Sequence, residues 1–130
     1  MKENKIAIQI NKPISEVFAF TINPKNTPLW IDSVEIEETN ELPVKIGTLY
    51  RNRGIEDSWN EYAVKEYEEN KLFELISKDG NYHVRYTYSD LKNGKSELEY
   101  FEWVDNGEIE SPFDQSVLDK LKSVIEMSDE

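Results

Sequence analysis

Residues 59–104 read WNEYAVKEYEENKLFELISKDGNYHVRYTYSDLKNGKSELEYFEWV, and this stretch decides the fold. Four segments of mixed apolar and polar residues follow one another with only turn residues between them, the pattern of strands with one buried face. Trp59–Glu68 runs into Glu69-Asn70-Lys71, and Leu72–Ser77 runs into Asp79-Gly80-Asn81. A third segment ends at Asn93-Gly94, and Ser96–Val104 completes the run. Asn-Gly and Asp-Gly tolerate the positive φ of tight hairpins, so the four segments read as consecutive antiparallel strands.

Beyond Asp105-Asn106-Gly107, Ser111-Pro112-Phe113-Asp114 offers a cap residue, a proline at the first helical position and an acid three residues after the cap. The spacing predicts a helix over Ser111–Glu130, with Phe113, Val117, Leu118, Leu121, Val124 and Ile125 on one apolar stripe. Upstream, Ile6, Ile8 and Ile10 alternate with Lys5, Ala7 and Gln9, which predicts a first strand over Glu3–Ile10. Pro13 opens a short helix with Ile14, Val17, Phe18 and Ile22 on its apolar side, and Asn23-Pro24 forbids its continuation. Thr27-Pro28 starts a second, shorter one carrying Leu29, Trp30 and Ile31. Val34–Glu38 alternates as a strand, Asn40–Gly47 reads as a loop, a third strand lies near Thr48–Arg53, and Gly54–Ser58 forms a turn. The predicted class is α+β: a seven-stranded antiparallel sheet curved around a long C-terminal helix, with two short helices between strands one and two.

A chain of 130 residues has room for one core, so residues 1–130 are expected to form one domain. The chain contains no cysteine, which excludes disulfides, thiolate metal sites and thiol catalysis. Its net charge of −12 is uneven: residues 96–130 hold eleven acids against two lysines. Such a balance opposes binding to nucleic acid and to anionic membrane surfaces, and suits solubility or a basic protein docking on the final helix. No apolar run approaches the roughly 20 residues that span a bilayer, so membrane insertion is not expected. The chain begins on a strand pattern rather than an apolar signal segment, and the expected location is the cytoplasm.

The two-residue period assigns the faces of the strands. Val84, Tyr86 and Tyr88 share a face opposite His83, Arg85, Thr87 and Ser89, and should point toward the helix. By the same test Tyr62 and Val64 face inward, opposite Glu61 and Lys65, and Phe73 and Leu75 face inward, opposite Glu74. In the last strand Leu98, Tyr100 and Val104 share a face with Glu102, whereas Phe101 and Trp103 share theirs with Glu97 and Glu99; the first set avoids the two acids and is assigned inward. Buried tyrosines want hydrogen-bond partners, and a solid hydrocarbon core is built more simply from leucine and isoleucine. The inward tyrosines therefore suggest a cavity for an aromatic or largely apolar ligand, lined by Trp30, Tyr62, Phe73, Tyr86, Tyr88, Tyr100, Phe113, Val117 and Leu121. The alternative is ordinary packing, with hydroxyls reaching the rim or one another.

Groups able to catalyse are few. His83 is the sole histidine, and parity turns it to solvent. Glu102, if inward among Tyr100 and Tyr86, would be desolvated and able to act as an acid or base; otherwise it sits solvated or paired at the sheet end. Arg51 and Arg53 share a face, and Arg51 is the candidate contact for a ligand anion; such arginines also balance acids on an outer face. With one histidine and no cysteine, no metal site and no cofactor are expected, and the clusters Glu35-Glu37-Glu38 and Glu66-Glu68-Glu69 lack a calcium-loop pattern.

The order of strand, two short helices, six strands and a long helix resembles the SRPBCC or helix-grip superfamily, which includes START-related lipid-transfer domains, birch-pollen-allergen-like proteins and polyketide cyclase/dehydrase-like proteins. The residues that echo it are Ile10-Asn11-Lys12-Pro13-Ile14-Ser15-Glu16-Val17-Phe18, Tyr62-Ala63-Val64-Lys65-Glu66-Tyr67-Glu68 and Asn93-Gly94-Lys95-Ser96. The resemblance implies a sheet gripping the last helix with a cavity between them for lipids, polyketides, steroids or other apolar molecules. It implies a protein, monomeric or weakly dimeric, that binds a small apolar ligand for sequestration, transport or sensing. The alternatives are a cyclase-, dehydrase- or hydrolase-like enzyme using the same cavity, and an interaction module like the chaperone activators of this fold.

Overall fold

A computed structural model describes residues 1–56 and 58–127. The chain forms β1 (Glu3–Ile10), α1 (Ile14–Ile22), a 3-10 turn (Pro24–Asn26), α2 (Thr27–Trp30), β2 (Ile36–Thr39), β3 (Leu49–Arg53), β4 (Asn60–Glu68), β5 (Leu72–Ser77), β6 (Tyr82–Lys92), β7 (Lys95–Val104) and α3 (Gln115–Met127). The seven strands make one curved antiparallel sheet in the order β1-β7-β6-β5-β4-β3-β2. Only β1 breaks the hairpin succession, returning beside β7 in a register that places Ile6 opposite Tyr100 and Ile8 opposite Leu98. Asn70, Gly80, Asn93 and Gly94 have positive φ, as tight connections between twisted strands demand.

Side-chain parity follows the alternation along β5, β6 and β7. Leu98, Tyr100, Glu102 and Val104 are buried on the inner face of β7, and Val84, Tyr86 and Tyr88 on that of β6. In β4 the register shifts between Val64 and Glu66, a bulge that brings Tyr67 rather than Glu66 to the inner side. There the Tyr67 ring packs edge-on against Phe18 and Phe73.

The last helix starts later than its cap signals predict. Helical backbone begins at Gln115 rather than Ser111, and Asp114 accepts the backbone N–H of Ser116 at 3.0 Å, taking over the role of cap. The cause is tertiary: the Phe113 N–H donates to Glu102 Oε2 at 2.9 Å and its carbonyl accepts from Asn4 Nδ2 at 2.7 Å, which commits this backbone to the sheet. Leu118, Leu121 and Ile125 are fully buried against the sheet, whereas Phe113 and Val117 are half-buried. The predicted end of the helix at 128–130 lies outside the described residues.

The outer sheet face corrects a second expectation. His83 does point away from the helix side, yet it is buried rather than solvated, because Trp103 stacks on it at 4.6 Å between ring centroids. Its Nε2 lies 3.0 Å from Asp105 Oδ2. Beside it Glu74, 1% exposed, accepts from Arg85 Nε at 2.6 Å and lies 3.7 Å from Lys65 Nζ. Long side chains and the Phe101–Trp103 stack cover this face, so outward strand residues need not be wet.

Candidate functional site

A cavity of about 410 Å³ opens on the inner face of β2–β7. Its sheet wall carries Tyr50, Asn52, Tyr62, Phe73, Leu75, Tyr82, Val84, Tyr86 and Tyr100. Glu37 of β2 continues the sheet wall, and Thr21 of α1, Thr27 of α2, the 31–34 connection and Phe113 close the opposite side. A larger outer cleft, about 840 Å³, shares Asn60, Tyr62, Tyr82, Glu110 and Ser111 with this cavity and forms its mouth.

The location differs from the expected gap beneath the C-terminal helix. Among the described residues no α3 side chain lines the cavity, because Leu118 and Leu121 already fill the groove at that end. Tyr62, Phe73, Tyr86, Tyr100 and Phe113 come together around the space as the sequence reading placed them. Trp30, Tyr88, Val117 and Leu121 do not line it. Trp30 is 1% exposed and meets the edges of Tyr86 and Phe113, so it supports the wall from behind; Tyr88 is buried against Phe18.

The tyrosines divide by what their hydroxyls do. Tyr50 donates to the Ile22 carbonyl at 2.5 Å, Tyr88 bonds Thr21 Oγ1 at 2.6 Å, and Tyr82 donates to Glu102 Oε1 at 2.5 Å. The Tyr100 hydroxyl lies 3.4 Å from that of Tyr82. Tyr62 and Tyr86 line the cavity without a hydrogen-bond partner among the described residues. Burial pushes the phenols of Tyr50, Tyr62, Tyr82, Tyr86, Tyr88 and Tyr100 above their ordinary range, so all remain protonated donors at neutral pH.

Two carboxyls flank this space in different ways. Glu102 is fully buried but does not line the cavity; Asn4 Nδ2, the Phe113 N–H and the Tyr82 hydroxyl all donate to it. A carboxyl so occupied holds the strap before α3 against β7, and it meets the cavity only through the Tyr82 hydroxyl. Glu37, by contrast, lines the cavity, with Oε1 accepting from Thr27 Oγ1 at 2.5 Å and Oε2 from Asn52 Nδ2 at 2.9 Å. Burial raises its pKa, and the bonds from Asn52 and Thr27 only partly oppose that rise. Sequence reading passed over Glu37 as one of an acidic cluster. Its pairing with Asn52, in register with inward Tyr50 two residues away, is the signal that would have found it.

Arg51, too, does not line the cavity, and takes the outer-face alternative of balancing an acid. It points to the outer face, donates from Nε to Glu38 Oε1 at 2.8 Å and stacks on Trp59 at 4.1 Å. The parity that brings Tyr50 inside puts its neighbour outside. Among the described residues no group of three His, Cys, Asp or Glu could hold a metal ion, and no helix is long and apolar enough to cross a membrane.

No family model and no curated protein matches the sequence. Solved structures do. A START superfamily protein from Mycobacterium smegmatis superposes with a TM-score of 0.75 at 10% identity, covering 98% of this chain and 99% of that one. The protein XoxI from Bacillus cereus gives 0.74 at 9% identity over 100% and 99% of the two chains. A protein from Chromobacterium violaceum gives 0.71 at 13% identity over 97% and 99%. Likeness over whole chains at such low identity is a likeness of backbone, and it shows the fold alone. The chain therefore has the START-like helix-grip fold.

Proposed function

We propose that this protein binds a small, largely apolar or aromatic molecule in the cavity walled by β2–β7 and closed by the 31–34 connection and Phe113. The observation that carries this reading is the cavity itself: about 410 Å³, within the range of small-molecule sites, lined by aromatic rings with the Tyr62 and Tyr86 hydroxyls unpaired. A core built only for stability would fill such a space, since empty volume forfeits packing energy. The START-like fold supports the same class of ligand. Glu102 does not line the cavity and already accepts from Asn4, Tyr82 and Phe113, which favours binding over a cyclase- or dehydrase-like reaction with Glu102 as acid or base.

Titration with a neutral fluorescent probe such as N-phenylnaphthylamine tests the reading. Saturable uptake by the wild type is expected, together with a loss of about tenfold or more in Leu75→Trp, whose indole would occupy the cavity. A folded wild-type protein that takes up no probe saturably contradicts it.

A further inference from the structure

The ligand-binding reading leaves open what the ligand carries besides apolar surface, and the polar groups of the cavity bear on that. Among its described lining residues there is no lysine, arginine or histidine. The two acids there are Glu37, on the wall, and exposed Glu110, at the mouth. Glu37 is held by Thr27 and Asn52, both neutral donors, and no base faces its carboxyl among the described lining residues. Tyr50, Tyr62, Phe73 and Tyr86 line the same space and offer the electron-rich ring faces that attract cations.

The wider field has the same sign. The chain carries −12 overall, and the outer cleft is lined by Glu61, Asp79, Glu108 and Glu110 against a single lysine, Lys78, which is itself paired with Glu61. Such a field draws cations toward the mouth and repels anions. A fatty acid or any other carboxylate entering the cavity would lose its hydration and find a second carboxyl instead of a base, a double cost.

We propose, on the basis of the ligand-binding reading above, that the cavity selects an aromatic or apolar molecule bearing a basic amine, whose ammonium group pairs with Glu37 within the surrounding aromatic walls. The amine supplies the missing counter-ion, and the tyrosine hydroxyls, all donors with oxygen lone pairs to spare, accept its remaining N–H groups. Glu37 is on this view the specificity-determining residue, and α3 plays no part in recognition.

Three probes of one shape separate the possibilities: naphthylmethylamine, naphthylmethanol and naphthoic acid, titrated calorimetrically at neutral pH against the wild type and Glu37→Gln. The wild type is expected to bind the amine about tenfold more tightly than the alcohol, and the acid most weakly. Glu37→Gln, which changes net charge by a single unit, should remove the preference for the amine over the alcohol. Binding of the alcohol without preference for the amine, or a preference that survives in folded Glu37→Gln, overturns the proposal and leaves the ligand-binding reading standing. Saturable binding by none of the three to the folded wild type overturns both.

Discussion

The hydroxyl of Tyr82 donates to Glu102 Oε1 at 2.5 Å, tying the cavity wall to a carboxyl that also receives the Phe113 N–H and Asn4 Nδ2. One buried side chain thus joins β1, β6, β7 and the strap that precedes α3. Removing it and merely neutralising it should have different consequences. Glu102→Ala leaves three donors without an acceptor in a dry region and is expected to cost about 3 kcal/mol or more. Glu102→Gln keeps one oxygen for Asn4 and Phe113, while its amide can donate to a reversed Tyr82 hydroxyl, so a loss near 1 kcal/mol is expected. Urea denaturation measures both. Equal losses in the two variants would show that the carboxyl does not serve as a shared acceptor.

Tyr86 and Tyr88 share one face of β6 but not one environment. The Tyr88 hydroxyl bonds Thr21 Oγ1 at 2.6 Å, and Tyr88→Phe should cost about 1 kcal/mol by losing that bond. Tyr86→Phe deletes a hydroxyl with no described partner and should fall within about 0.5 kcal/mol of the wild type. Denaturation curves that show Tyr86→Phe to be the more damaging change would mean that its hydroxyl has a partner the cavity picture lacks.

Burial raises the pKa of Glu37 above its ordinary 4.5, and the sign of the resulting pH dependence is fixed by that direction. The folded protein holds this proton at pH values where the unfolded chain has released it. The Glu37 contribution to stability is therefore complete below about pH 4.5 and is lost as pH rises through the raised value. Glu37→Gln carries no such proton. Stability of the wild type minus that of Glu37→Gln should decline from pH 4 to neutral. A difference that rises over that interval would place Glu37 in a charge-favouring environment. Taking the difference removes the opposing effects of Asp79, Glu108 and Glu126, whose pKa values are lowered by hydrogen bonds.

On the outer face, Glu74 is the carboxylate most dependent on its partners. It is 1% exposed, with Arg85 and Lys65 as counter-charges. Arg85→Met should destabilise by about 1–2 kcal/mol, less than a fully buried pair would, because Arg85 is partly solvated and Lys65 remains. Adding Glu74→Leu to that variant should restore most of the loss, and a double-mutant cycle reads the coupling directly. Purely additive losses would rule the coupling out.

Much of this fold is legible in the sequence because β4–β7 repeat a clean two-residue period between strong turn residues. The inward Tyr62, Phe73, Tyr86 and Tyr100 follow from it, and extending the same parity by one step would have added Tyr82, the residue that reaches Glu102. What resisted reading lies where tertiary bonds override local signals. Ser111-Pro112 has every mark of a helix start, yet Glu102 and Asn4 hold the Phe113 backbone, and the helix waits until Gln115. In β2 and β3 the periodicity is inverted: Glu37 and Asn52 point inward while Ile36, opposite Arg53, points out, so hydrophobicity alone would choose the wrong face. For Arg51 and His83 the two-residue period gives the face but not the surroundings: Arg51 pairs with Glu38, and His83 is covered by Trp103.

The most direct test of the cavity is methyl NMR of the wild type titrated with naphthylmethanol. Ile31, Val34, Leu75 and Val84 line the space, whereas Leu98, Leu118 and Leu121 are equally apolar but packed solid, and Leu42, Ile46 and Ile55 are exposed. Saturable shifts concentrated in the first set, with the packed set nearly still, are the predicted result. Shifts confined to the exposed set, or none in any set, would contradict an interior that admits a small molecule.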